Sequence, residues 1–462
     1  MKSNLFLKLT AAAFGLAAVC IAGAVLLGAP ATARAETLNL RLSPEQSKLI
    51  YGRPQEVVIK IDLDADKVKG GKRLPLNLAV VLDRSSSMSG AKIEKARQAA
   101  AALLDQLGSE DTFSLVAYDS SVEVLIPAQK LESKADIRAK IMRIQPGGST
   151  ALYAGVEEGG RQLQRYFESK NINRVILLSD GLANVGPSST EDVRDLGRRL
   201  SRKSMSVSTI GLGDDYNEDL MTALAVASDA NYYYVKDVEK LQSIFEKELG
   251  QLLSITARNI RIRIVLPKGV EPISLIGREE KFDTDKNSSD VEFAPFYSGQ
   301  QRYIYLRCRM PANDSDATRE VAKVQVSYDD ELNSGKRVET EKVVSIAYTK
   351  DVAEADKSID LNVQMGRELQ DTAVAKQEAV RYSDAGDYQQ ANKILRENEK
   401  KVQILIDKSR ASGGAVKPLQ IVELEREEQN LNKAARGTTA APMSSSQRKA
   451  TMSEQYRQSQ AK

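Results

Sequence analysis

Histidine and tryptophan are absent from the 462-residue sequence, and cysteine occurs twice. Without histidine the commonest general base and the commonest transition-metal ligand are missing, which argues against serine-hydrolase triads and against zinc or copper sites. Cys20 lies in an apolar N-terminal run, so the remainder holds Cys308 alone and can close no internal disulfide. In RYIYLRCRM, Cys308 alternates with Ile304, Leu306 and Met310, a pattern that turns the thiol to the inner face of a strand. A surplus of charge is missing too. Lys2, Lys8 and Arg34 account for the whole formal net charge of +3, so residues 36–462 are balanced and offer no electrostatic case for nucleic acid.

Lys2 and Lys8 flank the start of a mostly apolar run over residues 9–27, and Ala33-Arg34-Ala35 offers small residues around a cut before Glu36. Residues 1–35 are therefore expected to be a signal peptide that sends the rest of the chain to the periplasm or the exterior. The run is also long enough to remain as an uncleaved membrane anchor. Val19 before Cys20 fits a lipoprotein cleavage site poorly.

From residue 75 to 253 strand and helix patterns alternate. LNLAVVL is a continuous apolar run of the kind buried on both faces of a parallel sheet, and Ile93, Ala96, Ala100, Leu103, Leu104 and Leu107 then recur at helical spacing. TFSLVAY and VEVLI read as a hairpin, and RVILLS, SVSTIGL and NYYYV as further strands. A doubly wound α/β domain is expected. Its flanks alternate instead with a period of two, at Val57, Ile59, Ile61 and Leu63 and again at Ile260, Ile262, Ile264 and Leu266. Residues 37–66 are too few for a domain, so they should join residues 255–349 in one β-sandwich that the α/β domain interrupts. Beyond residue 353 helical patterns take over. Gly386 breaks two of them into a hairpin, which resembles half of a tetratricopeptide-type unit though a plain hairpin suffices, and the helical region should end near residue 435. The Ser- and Gln-rich stretch over residues 437–462 is expected to be disordered.

The stretch LAVVLDRSSSMSG ends a buried strand on a carboxylate and follows it with hydroxyls. Helix capping alone could explain the serines. Thr150, in the GGST loop, could likewise cap a helix, and Asp180-Gly181 could be an ordinary turn. Two of these segments, however, follow strands and the third precedes a helix, and all three deliver oxygen-bearing side chains beyond the carboxyl ends of the strands, where open α/β folds gather ligands. Asp83, Ser85, Ser87, Thr150 and Asp180 together offer oxygen donors only, a set suited to a hard dication such as Mg²⁺ completed by water. Two carboxylates merely balance such an ion and leave it able to attract another acid.

Asp83-x-Ser85-x-Ser87, then Thr150, then Asp180 resembles the metal-ion-dependent adhesion site (MIDAS) of von Willebrand factor type A (VWA) domains, and GGSTALYAGV, LLSDGLANVG and GLGDDYNEDL resemble that family's recurring segments. The resemblance implies a Rossmann-like fold over about residues 75–252. It implies that Ser85, Ser87 and Thr150 bind Mg²⁺ (or Mn²⁺) directly or through water, while Asp83 and Asp180 act largely through water. It also implies that a partner protein's Asp or Glu fills the last coordination place. More loosely, the order of export signal, strands, A domain, sandwich and helices resembles secreted bacterial proteins related to inter-alpha-trypsin inhibitor heavy chains.

Other readings compete. Asp62, Asp64 and Asp66 have the alternate spacing of a calcium loop, but Lys67 stands where such a loop has glycine and Arg73 where it has glutamate. Asp214, Asp215, Glu218 and Asp219 fit the acidic start of a helix. A metal-dependent hydrolase would lack a histidine to activate Ser85, and an aspartyl-phosphate enzyme would want a carboxylate where Ser85 stands. An envelope scaffold that binds through its C-terminal helices is the remaining alternative. The expectation is an exported, non-enzymatic adhesion or scaffolding module.

Overall fold

Leu38 and Leu40 are buried while Asn39 and Arg41 are exposed, which gives β1 (Leu38–Pro44) a single inner face. After β2 (Lys48–Ile50), β3 (Gln55–Ala65) runs back antiparallel to β1. These elements belong to a computed structural model that describes residues 37–67, 73–278, 280–412, 418–438 and 442–459. The expected export signal over residues 1–35 lies outside them. Among the described residues no helix is long and apolar enough to cross a membrane.

The α/β segment comprises β4 (Leu76–Asp83), α1 (Ala91–Gln106), β5 (Thr112–Tyr118), β6 (Val122–Lys130), α2 (Lys134–Met142) and α3 (Leu152–Arg165), then β7 (Ile172–Ser179), α4 (Thr190–Ser201), β8 (Met205–Leu212), α5 (Glu218–Ala227), β9 (Tyr232–Val235) and α6 (Leu241–Leu252). Its six strands are ordered β6-β5-β4-β7-β8-β9, parallel except at the β6 edge. Every residue of β4 is buried, because its two faces pack against different helix layers. Leu78, Val80 and Leu82 share a core with α1, α2 and α6, whereas Ala79 and Val81 share one with α3, α4 and α5. The expected doubly wound fold is thus present. Strand order reverses at β4, whose neighbours β5 and β7 follow it in opposite directions across the sheet.

The chain then returns to strands: β10 (Ile255–Val265), β11 (Glu271–Leu275), β12 (Ser288–Phe293), β13 (Phe296–Tyr297), β14 (Gln301–Met310), β15 (Arg319–Asp330) and β16 (Lys336–Thr349). One sheet runs β1-β3-β14-β11 and the other β12-β10-β15-β16-β2, so the residues before the α/β segment enter both layers. β3 pairs with β14 along ten consecutive residues, from Gln55 opposite Met310 to Asp64 opposite Gln301. Ile59, Ile61, Ile262, Ile264, Leu306 and Val324 meet between the sheets. Cys308 joins this core and is free; burial pushes its thiol up to about 12, in keeping with a packing role.

Among the described residues five helices follow: α7 (Val352–Lys357), α8 (Leu361–Asp384), α9 (Tyr388–Ala411), α10 (Pro418–Gly437) and α11 (Ser445–Ser459). α8 and α9 form a hairpin at Gly386, whose φ of +83° permits the left-handed turn in which Asp387 N–H donates to the Tyr382 carbonyl. At 24 residues each, the two helices exceed what a tetratricopeptide unit of roughly 34 residues accommodates. α8 also leans on the sandwich, where Val363 packs with Val58, Ile276 and Tyr305.

One expectation fails here. Residues 437–462 were expected to be disordered, yet Ser445–Ser459 is helical and docks on the α/β segment. Tyr456 is buried in the core that Leu220 and Tyr232 share, with its ring edge-on to Tyr232 at 5.8 Å. Lys449 Nζ donates to Glu218 at 2.6 Å, and Arg448 donates to Asp219 and Asp384, each at 2.8 Å. The helix is mostly polar, so its stability comes from acids on α5 and α8, from the buried Tyr456 ring and from Met452, which joins the core of the C-terminal helices. None of these is visible in local composition.

Candidate metal centre

The carboxyl ends of β4 and β7 meet at the reversal point. β4 delivers Asp83, fully buried, and the chain then turns through Ser85 and Ser87 into α1. Neighbouring loops hold this turn: Arg84 N–H donates to the Tyr118 carbonyl at 2.8 Å, Ser86 N–H to Gly148 at 3.1 Å, and Gly147 N–H to Arg84 at 2.7 Å. The GGST loop and the serine turn are therefore bonded to each other, and Thr150 is set beside them. β7 ends one residue before Asp180, which is also fully buried.

Side chains knit the donors together. Asp83 Oδ1 accepts from Ser85 N–H at 2.8 Å, and its Oδ2 from Ser179 Oγ at 2.7 Å. Ser85 Oγ and Ser87 Oγ lie 3.0 Å apart, and Ser87 Oγ donates to Asp180 Oδ1 at 2.7 Å. Gly181 makes room for this arrangement: a Cβ there would stand 3.1 Å from Thr150 Oγ1, 3.2 Å from Ser87 Oγ and 3.8 Å from Ser85 Oγ. The three hydroxyls thus lie within 3.8 Å of one point at Gly181, and with Asp83 bonded to Ser85 N–H and Asp180 to Ser87 Oγ the structure brings all five sequence-selected residues into one neighbourhood.

Charge at the centre is incompletely balanced. The described partners of Asp83 are neutral donors, and burial pushes its carboxyl up, with the Asp180 charge adding and the bonds from Ser85 and Ser179 opposing. Beneath it lies the buried ring of Tyr118, whose hydroxyl donates to the Leu178 carbonyl at 3.2 Å; burial holds that phenol well above its usual range. On the rim, Arg84 is engaged by Asp119 at 2.9 Å and Glu123 at 2.7 Å.

Three residues escaped sequence reasoning. Asn184 Oδ1 accepts from Thr150 N–H at 2.8 Å, while Asn184 N–H donates to the Thr150 carbonyl at 3.2 Å, which fixes the threonine. Ser179 orients Asp83. Lys92, in the first turn of α1, places its ammonium 2.5 Å from Asp180 Oδ2. That lysine carried a signal, since a cation at a helix N-terminus opposes the macrodipole and asks for an acidic partner.

Elsewhere the competing acids are accounted for. Asp62 and Asp64 sit on β3 and pair with Arg41, and Asp62 also accepts from Gln301 at 2.8 Å, so no calcium loop forms. Among the described residues no group of three or more His, Cys, Asp or Glu side chains is placed to hold a metal. A set of two carboxylates and three hydroxyls fits a hard dication, and the uncompensated charge of Asp83 fits one as well.

Residues 77–247 match the model of the von Willebrand factor type A domain. An uncharacterised protein from Synechocystis, sll0103, is 26% identical over 306 residues, covering 63% of this chain and 71% of its own. Rat inter-alpha-trypsin inhibitor heavy chain H3 is 26% identical over 194 residues, covering 39% of this chain but 22% of that longer protein. Among solved structures, a von Willebrand factor type A protein from Catenulispora acidiphila superposes with a TM-score of 0.69 at 16% identity, over 92% of this chain and 97% of its own, which shows a common fold across nearly all the described elements. Domains of this family generally mediate protein–protein interaction and commonly bind a divalent metal. By sequence model, relatives and fold alike, residues 77–247 of this chain are a von Willebrand factor type A domain.

Proposed function

We propose that the protein is an exported, non-enzymatic binding module that takes Mg²⁺, or Mn²⁺, at the crown of its VWA domain and uses it to capture an acidic side chain of a partner protein. The reading rests on one observation above all: three hydroxyls and two fully buried carboxylates converge at the strand-order reversal, with no cation paired to Asp83 among the described residues. Ser85, Ser87 and Thr150 would hold the ion through their hydroxyls, and Asp83 and Asp180 would balance its charge. A bound dication would supply the electrophile that accepts the partner's carboxylate. The protein's own part is positioning: Ser179 and Ser85 N–H aim Asp83, Asn184 fixes Thr150, and the bonds between loops keep the donors from dispersing. The balanced charge of residues 36–462 supports a protein partner over nucleic acid, and the N-terminal signal pattern supports export.

A pull-down of envelope or extracellular proteins tests this, run with Mg²⁺, with EDTA, and with Asp83→Ala. The expected outcome is a partner retained only by the wild type in Mg²⁺. A partner held equally in all three conditions would reject metal-mediated capture.

A further inference from the structure

Lys92 points one elementary charge into the centre. It is the second residue of α1, its side chain is 25% exposed, and its ammonium sits 2.5 Å from Asp180 Oδ2 while Ser87 occupies Oδ1. The lysine stem runs past the Gly213 turn, where an added Cβ would come within 3.8 Å of both Cε and Nζ. The position is unfavourable for a cation unless Asp180 compensates it, because the unpaired N–H groups of the helix end point the same way. Arg84, the other cation of the turn, is spent on Asp119 and Glu123.

Counting charges gives the consequence. With Asp83 and Asp180 ionised, Lys92 leaves the centre at one net negative charge, and a dication brings it to one net positive charge. Without Lys92 the loaded centre would be neutral. We propose that Lys92 is a specificity-determining residue: its ammonium on Asp180 Oδ2 stands in for part of the metal's charge when none is bound, weakens metal binding, and gives the loaded centre a net positive charge that selects anionic ligands. The inference rests on the metal reading above. It adds that metal affinity and carboxylate affinity are set against each other through one side chain.

Lys92→Met and Lys92→Gln in the full chain, with Lys92→Arg as a charge-preserving control, provide the test. Calorimetric titration with Mg²⁺ should show the two neutral variants binding about tenfold or more tightly than wild type, and the arginine variant within about twofold of it. In EDTA the neutral variants should unfold at lower temperature than wild type, and Mg²⁺ should raise their midpoint by more. Acetate serves as the carboxylate probe: relaxation of its ¹³C signal by protein-bound Mn²⁺ should report about tenfold weaker binding to the neutral variants. An unchanged or weaker Mg²⁺ affinity in both neutral variants overturns the inference, and so does an unchanged acetate affinity. Should a neutral variant be unfolded in EDTA, refolding on addition of Mg²⁺ is the expected result and failure to refold overturns it. A wild type that shows neither heat nor thermal shift with Mg²⁺ refutes the metal reading itself, an outcome distinct from any of these.

Discussion

At the scale of single residues, the centre depends on one missing methyl group. A Cβ on Gly181 would lie 3.1–3.2 Å from two hydroxyl oxygens, tighter than ordinary contact, so Gly181→Ala must displace Ser87 or Thr150. It should lower stability by about 1–3 kcal/mol, as overpacking does, and remove the thermal shift with Mg²⁺ that the proposed metal site would give the wild type. Paired melting curves with and without Mg²⁺ would measure both. The serines, Thr150 and the two aspartates could be read in the sequence because their spacing on short loops is itself a pattern. Asn184 and Ser179 could not, since their importance lies in what they touch across the fold: Thr150 is 34 residues from Asn184, and Asp83 is 96 from Ser179. Lys92 was legible in principle, as a cation where a helix disfavours one.

Among elements, α11 departs furthest from what its residues suggest. Its sequence offers no apolar stripe, and a helix of this length is marginal in isolation. It is held instead by Lys449 and Arg448 on Glu218 at the start of α5. Burial alone would raise the Glu218 carboxyl, but the Lys449 ammonium and Arg448 guanidinium outweigh it and hold the group below the ordinary glutamate range. A depressed folded-state value means that the stabilisation is complete above the ordinary range and is lost as pH falls through the lowered one. Amide protection along α11, taken relative to the intrinsic exchange rate at each pH, should therefore stay high from neutral pH down into the ordinary glutamate range and fall below it. Glu218→Gln should lower that protection at neutral pH already. Equal protection in both proteins would show that the ion pairs do not secure the helix. The other elements were easier to foresee: β4 and α1 announce themselves by continuous and 3.6-residue apolar patterns, and β3 and β10 by apolar residues at every second place over Val57–Leu63 and Ile260–Ile264.

For the whole molecule, the question is how independent the VWA domain is of the sandwich that contains it. Ile255 and Tyr297 of the sandwich region pack into the core beneath α1 and α6, and Arg258 on β10 donates to the Ser169 carbonyl at 2.8 Å. α11 adds a second bond between distant parts, since Lys376 on α8 pairs with Glu427 on α10 and Glu454 on α11 while Tyr456 sits in the domain core. Scanning calorimetry of the chain over residues 36–462 should accordingly give a single transition. Two well-separated peaks would mean that these contacts contribute little. The insertion could be inferred from sequence because residues 37–66 alternate but are too few to make a domain alone. The manner of closure could not, because it depends on which strands become neighbours.

That manner has a mechanical consequence. The domain leaves the sandwich by β3 and returns to it by β10, and each is an inner strand of its own sheet, flanked by β1 and β14 in one case and by β12 and β15 in the other. A pull on the domain would divide between two covalent tethers, and neither could be peeled from a sheet margin one rung at a time. Both would have to be drawn out from between two neighbours, so the load would fall on the best-flanked strands of the sandwich.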